Sequence, residues 1–234
     1  MNLVIVESPA KAKTINKYLG SDYTVLASYG HIRDLPSKNG SVDPENDFKM
    51  IWEIDSFSKK YLKEITDSAK NSSKIILATD PDREGEAIAW HVREFLEEKK
   101  LLKDKKVERV VFNEITKKAV TSGIDNPRQI ESQLVDAYMA RRALDYLVGF
   151  NISPILWTKL PGSKSAGRVQ SVALRLLTER EHEIEIFKPD EFWTLNVIFE
   201  DKNKSKITSN VNQLNGKKTE KFTFKSKDDV NKAV

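Results

Sequence analysis

The first 125 residues alternate short apolar runs with segments in which apolar residues recur at helical spacing. The apolar runs have the length of buried strands and lie at residues 3–7, 23–28, 74–79 and 107–112. The helical segments lie at residues 9–19, 57–69 and 84–99, and the first follows an N-cap residue, Ser8, and Pro9 at the first helical position. This alternation predicts an α/β domain over residues 1–125, with a mostly parallel sheet flanked by helices.

The rest of the chain changes pattern twice. Residues 127–187 have helical periodicity throughout and include a long helix from 168 to 185, which predicts a helical domain over residues 126–188. Apolar runs at 192–199 and 221–224 then predict strands, followed by a helix from residue 227 to the last residue. We therefore expect the start of a truncated, β-containing domain over residues 189–234.

Composition excludes several classes of protein. The 234 residues are 39% hydrophobic and 32% charged, so the chain can bury a sizeable core. No apolar stretch approaches the roughly 18 residues of a membrane helix, and the start of the chain lacks a signal-peptide cleavage region. We expect a cytoplasmic protein without a membrane partner. Because there is no Cys, a bound metal must be held by oxygen or His ligands.

Positive charge is concentrated in the predicted helical domain. The net charge is only +4, but residues 137–180 contain seven Lys or Arg and two acids, an excess of five, so the rest of the chain nets −1. This basic segment is a candidate surface for a polyanion.

Two groups of acids lie where predicted parallel strands end. Glu7 ends the first strand, and Asp80, Asp82 and Glu84 follow the strand at 74–79. Ligands gather at this edge of an open parallel sheet, and clustered carboxylates are costly without a cation. Mg²⁺ prefers such oxygen ligands, although a helix N-cap or a surface charge is an alternative explanation for any one of these acids.

The sequence around these acids resembles that of a known family. Residues 7–15, ESPAKAKTI, and 80–87, DPDREGEA, closely resemble the two hallmark stretches of the Toprim domain in type IA DNA topoisomerases. The resemblance spans residues 2–193 and is greatest to the bacterial topoisomerase I branch. Four further stretches are similar to that branch and lie at residues 28–36, 112–116, 140–145 and 165–171.

The resemblance implies a Toprim-type fold and a transesterification. A member of this family relaxes negatively supercoiled DNA by Mg²⁺-dependent, ATP-independent breakage, passage and rejoining of single strands. A tyrosine attacks a phosphodiester and becomes linked to the 5′ phosphate. The implied partner is a single-stranded segment of negatively supercoiled duplex DNA in the nucleoid, and no small-molecule nucleotide is expected.

The resemblance also assigns roles to individual residues. Glu7, within the metal site, assists proton transfer at the leaving 3′ oxygen, and Lys11 places positive charge beside the scissile phosphate. Both are expected to be catalytic together with the acids that hold Mg²⁺, which are Asp80, Asp82 and Glu84. The implied DNA-binding residues are His31, Arg141, Arg142, Asp145, Ser165, Gly167, Arg168 and Gln170.

Simpler interpretations of the DNA-binding set stay open at this point. Arg141 and Asp145 are four residues apart and can form an ordinary intrahelical ion pair. His31 can be structural, and the loop before Arg168 can be a solvated turn. The other histidines, His91 and His182, are predicted to lie on helix surfaces.

The nucleophilic tyrosine of the family is missing. In the family it lies in a YxRT-like stretch. The most similar stretch here begins at Tyr138, but it is predicted to be helical and lacks the Thr. Tyr146 also stands where members of the family often carry Arg. We therefore expect the N-terminal part of a topoisomerase, inactive alone. The alternatives are a Toprim nuclease or primase and a non-catalytic DNA-binding module.

Overall fold

The computed structural model describes all 234 residues. They form two compact units, residues 1–171 and 172–234. The domain borders expected near residues 125 and 188 stay predictions. None of the helices combines the length and apolar character that crossing a membrane requires.

The first unit alternates strands and helices in the predicted order. In chain order its elements are β1 (Asn2–Val6), α1 (Pro9–Leu19), β2 (Tyr23–Ala27), β3 (Arg33–Asp34), β4 (Val42–Asp43), β5 (Lys49–Met50), β6 (Glu53–Ile54), α2 (Ser58–Lys70), β7 (Lys74–Leu77), α3 (Arg83–Glu98), β8 (Lys106–Arg109), α4 (Lys117–Asp125), α5 (Ser132–Lys159) and the beginning of α6 (Arg168–Ile186).

The central sheet has four parallel strands in the order β2-β1-β7-β8. Ile5 of β1 lies opposite Leu26 on one side and Leu77 on the other, so all three strands end at the same edge. Helices follow the strands at the spacing that parallel connections need. The predicted α/β class, with a mostly parallel sheet flanked by helices, is confirmed.

Alternating side chains of the sheet build two cores. Leu3 and Ile5 face a core shared with α2 and α3, whereas Val4 and Val6 face a core shared with α1 and α4. Each fully buried aliphatic side chain stabilises the fold by roughly 1.5–3 kcal/mol. The acids that follow the strands are therefore carried on a rigid, two-sided scaffold.

The predicted strand at residues 107–112 ends early. β8 stops at Arg109, which pairs through an isolated bridge with Arg128. Val110 keeps one backbone hydrogen bond to Leu77, and the chain then turns toward Thr116, the N-cap of α4. The apolar residues beyond Arg109 pack into the core without continuing the ladder.

The predicted helical region is confirmed. α5 runs without interruption for 28 residues although Pro154 lies inside it. Its buried residues include Val135, Tyr138 and Tyr146, and its N-terminal part packs against α3. This packing places the basic residues of α5 beside the edge of the sheet in the first unit.

The second unit contains the rest of α6, two small antiparallel hairpins and a short helix. Its further elements are β9 (Asn196–Glu200), β10 (Lys206–Asn210), β11 (Gln213–Leu214), β12 (Lys217–Lys218) and α7 (Lys227–Ala233). The strand predicted over residues 192–199 begins only at Asn196. Residues 221–224 form no strand, since only a single bridge joins Phe224 to Trp193.

Candidate active site

At the carboxyl edge of the sheet, the Glu7 and Asp80 carboxylates both contact the ammonium group of Lys11. Ser8 caps α1 by accepting a hydrogen bond from the Lys11 backbone N–H at 3.3 Å, and the helical turn then places Lys11 over Glu7. The Lys11 ammonium contacts the Glu7 carboxylate and lies 2.5 Å from Asp80 Oδ1. The largest single influence on the Lys11 pKa is burial, which lowers it, but the hydrogen bonds and charges of Asp80 and Glu7 together raise that pKa. The ammonium therefore stays charged.

Glu7 has acceptor capacity that the chain does not use. Both of its carboxylate oxygens are buried; Oε1 contacts the Lys11 ammonium, and Oε2 has no partner. A buried, unsatisfied carboxylate is costly unless a ligand or proton completes it. Its oxygen donors suit a hard divalent cation such as Mg²⁺, so the residue fits the predicted metal.

The other two acids of the predicted metal site point elsewhere. Asp82 accepts a hydrogen bond from Gly85 N–H at 2.8 Å and is the N-cap of α3, as one interpretation of the sequence allowed. Glu84 lies 3.1 Å from His31 Nε2 and 3.5 Å from Arg141 Nη1. No three His or acid side chains lie close enough together to hold a metal ion. The four-acid metal site stays a prediction.

Gly85 allows the loop after β7 to fold tightly. A Cβ at this position would lie 2.2 Å from the carbonyl oxygen of Asp80, so no larger residue fits without moving the backbone. Thr79 Oγ1 donates a 2.5 Å hydrogen bond to the Gly85 carbonyl across the same loop. The glycine therefore fixes the backbone that carries Asp80 and Asp82.

An ion cluster with a fully buried centre lies beneath this loop, and sequence reasoning missed it. Glu86 has no exposed surface and accepts hydrogen bonds from Arg109, Arg128 and the Glu131 backbone N–H. Burial is the strongest influence on the Glu86 pKa and raises it, but these bonds and the two arginine charges together lower the pKa below its ordinary value. Arg109 also donates to four backbone carbonyls, those of Leu77, Thr79, Asp80 and Val110.

A cavity of about 380 Å³ lies beside the acids. It is lined by His31, Asp34, Glu84, Tyr138, Arg141, Arg142 and Asp145. The His31 ring stacks on Tyr138 with ring centroids 5.1 Å apart, and the Tyr138 hydroxyl lies 3.4 Å from His31 Nδ1. Burial raises the pKa of Tyr138 to about 12, so its phenol stays protonated at neutral pH.

The arginines of this region already contact carboxylates. Arg142 donates to Asp34 at 2.7 Å, and Arg168 donates to Asp145 at 2.6 Å. Arg141 is 3.7 Å from Asp145, so the intrahelical pair foreseen from the sequence is the longer of the two contacts that Asp145 makes. The Asp145 pKa is lowered, mainly by its hydrogen bond from Arg168.

The two halves of the chain each match a known family. The family of Toprim domains matches residues 2–115, and the family of DNA topoisomerases matches residues 129–234. DNA topoisomerase 1 of Zymomonas mobilis is 61% identical over 97% of this chain, and that of Rickettsia felis is 56% identical over 98%. Full-length topoisomerase I of Thermotoga maritima has a structure that matches 93% of this chain with a TM-score of 0.73 and 39% identity. The chain belongs to the bacterial type IA DNA topoisomerases.

This type IA chain is much shorter than those relatives. It spans 19% of the Zymomonas mobilis protein, 30% of the Rickettsia felis protein and 36% of the Thermotoga maritima chain. The match to the second family, over the helical region and beyond, favours the topoisomerases over other Toprim proteins.

Four predicted DNA-binding residues of the type IA chain do not line the cavity. They are Ser165, Gly167, Arg168 and Gln170, of which Arg168 is paired with the lining residue Asp145. Gln170 donates a 3.4 Å hydrogen bond to Ser165, and the loop is fixed by a 3.0 Å bond from Ala166 N–H to Ser153. Their predicted DNA contact is untested.

The predicted surface position of His91 is wrong. His91 has no exposed surface, packs edge-on against Trp52 at 4.6 Å between ring centroids, and uses neither ring nitrogen in a hydrogen bond. Burial lowers its pKa to about 3, so the ring is neutral. The position falls on the core face of α3, a face that also carries Val92 and Phe95.

Tyr146, which stands where the family often carries Arg, has a structural partner here. Its hydroxyl donates to the Lys38 carbonyl and accepts a hydrogen bond from the Ser41 backbone N–H at 3.2 Å. Its ring stacks on Phe150, with centroids 4.5 Å apart. The tyrosine therefore anchors the loop that connects β3 and β4.

Proposed function

We propose that this chain is the part of a type IA DNA topoisomerase that carries the metal-binding acids and one wall of the groove for single-stranded DNA. The whole enzyme relaxes negatively supercoiled DNA by Mg²⁺-dependent, ATP-independent breakage, passage and rejoining of single strands. The convergence of Glu7 and Asp80 on Lys11, at the edge of the sheet, carries this proposal.

The acids and Lys11 divide the chemistry between them. Glu7 handles the proton of the 3′ oxygen, because its buried Oε2 has no hydrogen-bond partner. Lys11 stabilises negative charge on the scissile phosphate from the first turn of α1. Asp80, Asp82 and Glu84 would hold Mg²⁺, which when bound supplies further positive charge beside that phosphate.

The arginines of α5 and α6 position the strand. Arg141 and Arg142 line the cavity next to Glu84, and Arg168 reaches the same cavity through Asp145. Phosphates of a single strand compete for these guanidinium groups with the carboxylates that hold them now. Asp145 holds the Arg168 guanidinium beside the cavity, where it can bind a phosphate of the strand.

The attacking tyrosine belongs to a part of the enzyme outside these 234 residues. Tyr138 is a poor nucleophile, because it is only 5% exposed and its pKa is raised to about 12. We therefore expect no cleavage by this chain alone. A labelled single-stranded oligonucleotide incubated with the chain and Mg²⁺ should run unchanged on a denaturing gel, whereas an adduct at Tyr138 would contradict this assignment.

A positive test uses the full-length enzyme that contains this chain. Wild type should relax a negatively supercoiled plasmid with Mg²⁺ and without ATP, and Asp82→Asn should abolish relaxation while single-stranded DNA still binds. Asp67→Asn, which changes an exposed acid of α2, is the matched control and should remain active. Relaxation by Asp82→Asn at the wild-type rate would contradict the proposal. Free cut products without a covalent adduct would favour a Toprim nuclease.

A further inference from the structure

Two tyrosines form an exposed stack next to the candidate active site. The rings of Tyr29 and Tyr61 are nearly parallel, at 16°, with centroids 3.6 Å apart. Tyr29 is 48% exposed, and Phe57, one helical turn before Tyr61, is 83% exposed. A group of exposed aromatic rings marks a candidate binding surface more often than scattered single residues do.

The backbone of Tyr29 is held in a conformation that tyrosine disfavours. Its φ is +60°, in the left-handed region, and the next residue, Gly30, also has a positive φ of 91°. For a bulky residue this conformation is sterically unfavourable, because its Cβ approaches the following carbonyl oxygen. A glycine or asparagine would adopt it more readily, so the tyrosine ring is retained against a local cost.

This strained turn is attached directly to the acid site. The Gly30 backbone N–H donates a 2.9 Å hydrogen bond to the Glu7 carbonyl, and the following residue, His31, lines the cavity beside Glu84. Ser58, at the start of α2, donates to the His31 carbonyl at 3.5 Å. The stack is therefore attached to the end of β1, which carries Glu7, and adjoins the cavity residue His31.

We propose that Tyr29, backed by Tyr61, is a stacking platform for one nucleobase of the single strand that enters the acid site. The inference rests on the proposed function and extends it to a base contact that the arginines do not supply. Every base has a flat π face, so a stacked tyrosine pair binds bases with little sequence preference. The arginines hold phosphates, while the platform holds a base.

The test compares two oligonucleotides of equal length, one with normal bases and one whose central nucleotides are abasic. Fluorescence anisotropy would measure their affinities for wild type, Tyr29→Gly, Tyr29→Phe and Arg142→Ala. Tyr29→Gly should weaken binding of the normal strand by at least about fivefold, the lower end expected for one stacked base. Binding of the abasic strand should not change, and Tyr29→Phe should bind both strands like wild type.

Salt dependence separates the platform from the phosphate contacts. Arg142→Ala should weaken both strands and flatten the slope of log affinity against log salt by roughly 0.7. Tyr29→Gly should leave that slope unchanged, because no charge is removed. Thermal unfolding checks that Tyr29→Gly is folded, and Tyr29→Asn, which also tolerates a positive φ, serves as a second variant.

The outcomes distinguish the platform from the proposed function. Equal binding of the normal strand by wild type and Tyr29→Gly would overturn the platform and leave the proposed function standing, as would equal losses for the two strands. Failure of wild type to bind either strand would overturn both proposals. A loss confined to the strand with bases supports the platform.

Discussion

Two ion clusters contact the same loop and differ in the burial of their side chains and in how fully their hydrogen-bonding groups are satisfied. Beneath the loop, Glu86 and Arg109 have fully buried side chains, and their hydrogen-bonding groups are satisfied by partners within the chain. Above it, Lys11, Glu7 and Asp80 have side chains that are 21%, 15% and 50% exposed, and Glu7 Oε2 has no partner. Both clusters touch Asp80, one through its backbone and the other through its carboxylate.

The comparison separates ions that hold the fold from ions that are available for chemistry. A buried cluster destabilises strongly when one member is removed, because the remaining charge has no water to replace its partner. A partly exposed cluster with free acceptors has little to lose in stability and can exchange partners with a substrate. We therefore expect the lower cluster to position the loop and the upper cluster to take part in the proposed chemistry.

The largest effect is expected from breaking the lower cluster. Glu86→Leu leaves Arg109 buried without its carboxylate and should lower the free energy of unfolding by about 3–5 kcal/mol. Urea denaturation would measure the loss. Glu97→Leu, an exposed position on the same helix, should change stability by less than about 0.5 kcal/mol. Similar values for the two variants would remove the distinction between the clusters.

His91 sharpens the comparison, because it is buried without any ionic partner. Its folded-state pKa of about 3 lies below the ordinary 6.5. Between these two pH values the unfolded chain binds a proton at this histidine and the folded chain does not. This contribution to stability is complete above pH 6.5 and declines as the pH falls, by roughly 2 kcal/mol at pH 5. His91→Leu should flatten the pH profile of stability between pH 6.5 and 5. His182→Leu, at a largely exposed position, should not.

The smallest effect on stability is expected in the upper cluster. Lys11→Met should lower the free energy of unfolding by less than Glu86→Leu does, because the Lys11 and Asp80 side chains contact solvent even though the Glu7 oxygens are buried. In the full-length enzyme, the same variant should lose most relaxation activity, whereas Lys13→Met, on the exposed side of α1, should keep it. A loss of stability as large as that of Glu86→Leu would show that Lys11 holds the fold.

Local sequence signals predicted the parts of the site that depend on local structure. Ser8 and Pro9 indicated the start of α1, and the apolar runs before Glu7 and Asp80 placed both acids at strand ends. The structure brings these two together because parallel strands end at a common edge.

Contacts between residues far apart in the chain could not be predicted from the sequence. Glu86 meets Arg109 and Arg128 at separations of 23 and 42 residues, and no local motif identifies which residues pair. One clue existed, since Arg109 directly precedes the apolar run at 110–112, where a charge needs a buried partner. β10 was missed because its sequence, KITSN, has only one large apolar residue.

The central claim is that the carboxylates at the sheet edge form one Mg²⁺ site, and its most direct test is the effect of Mg²⁺ on thermal stability. Ligand that binds only the folded chain raises stability by RT ln(1 + [L]/Kd), or about 1.4 kcal/mol at tenfold Kd. Wild type and Asp67→Asn should gain stability equally as Mg²⁺ is raised, and Asp80→Asn/Asp82→Asn should gain none. An equal gain in the double variant would contradict the account.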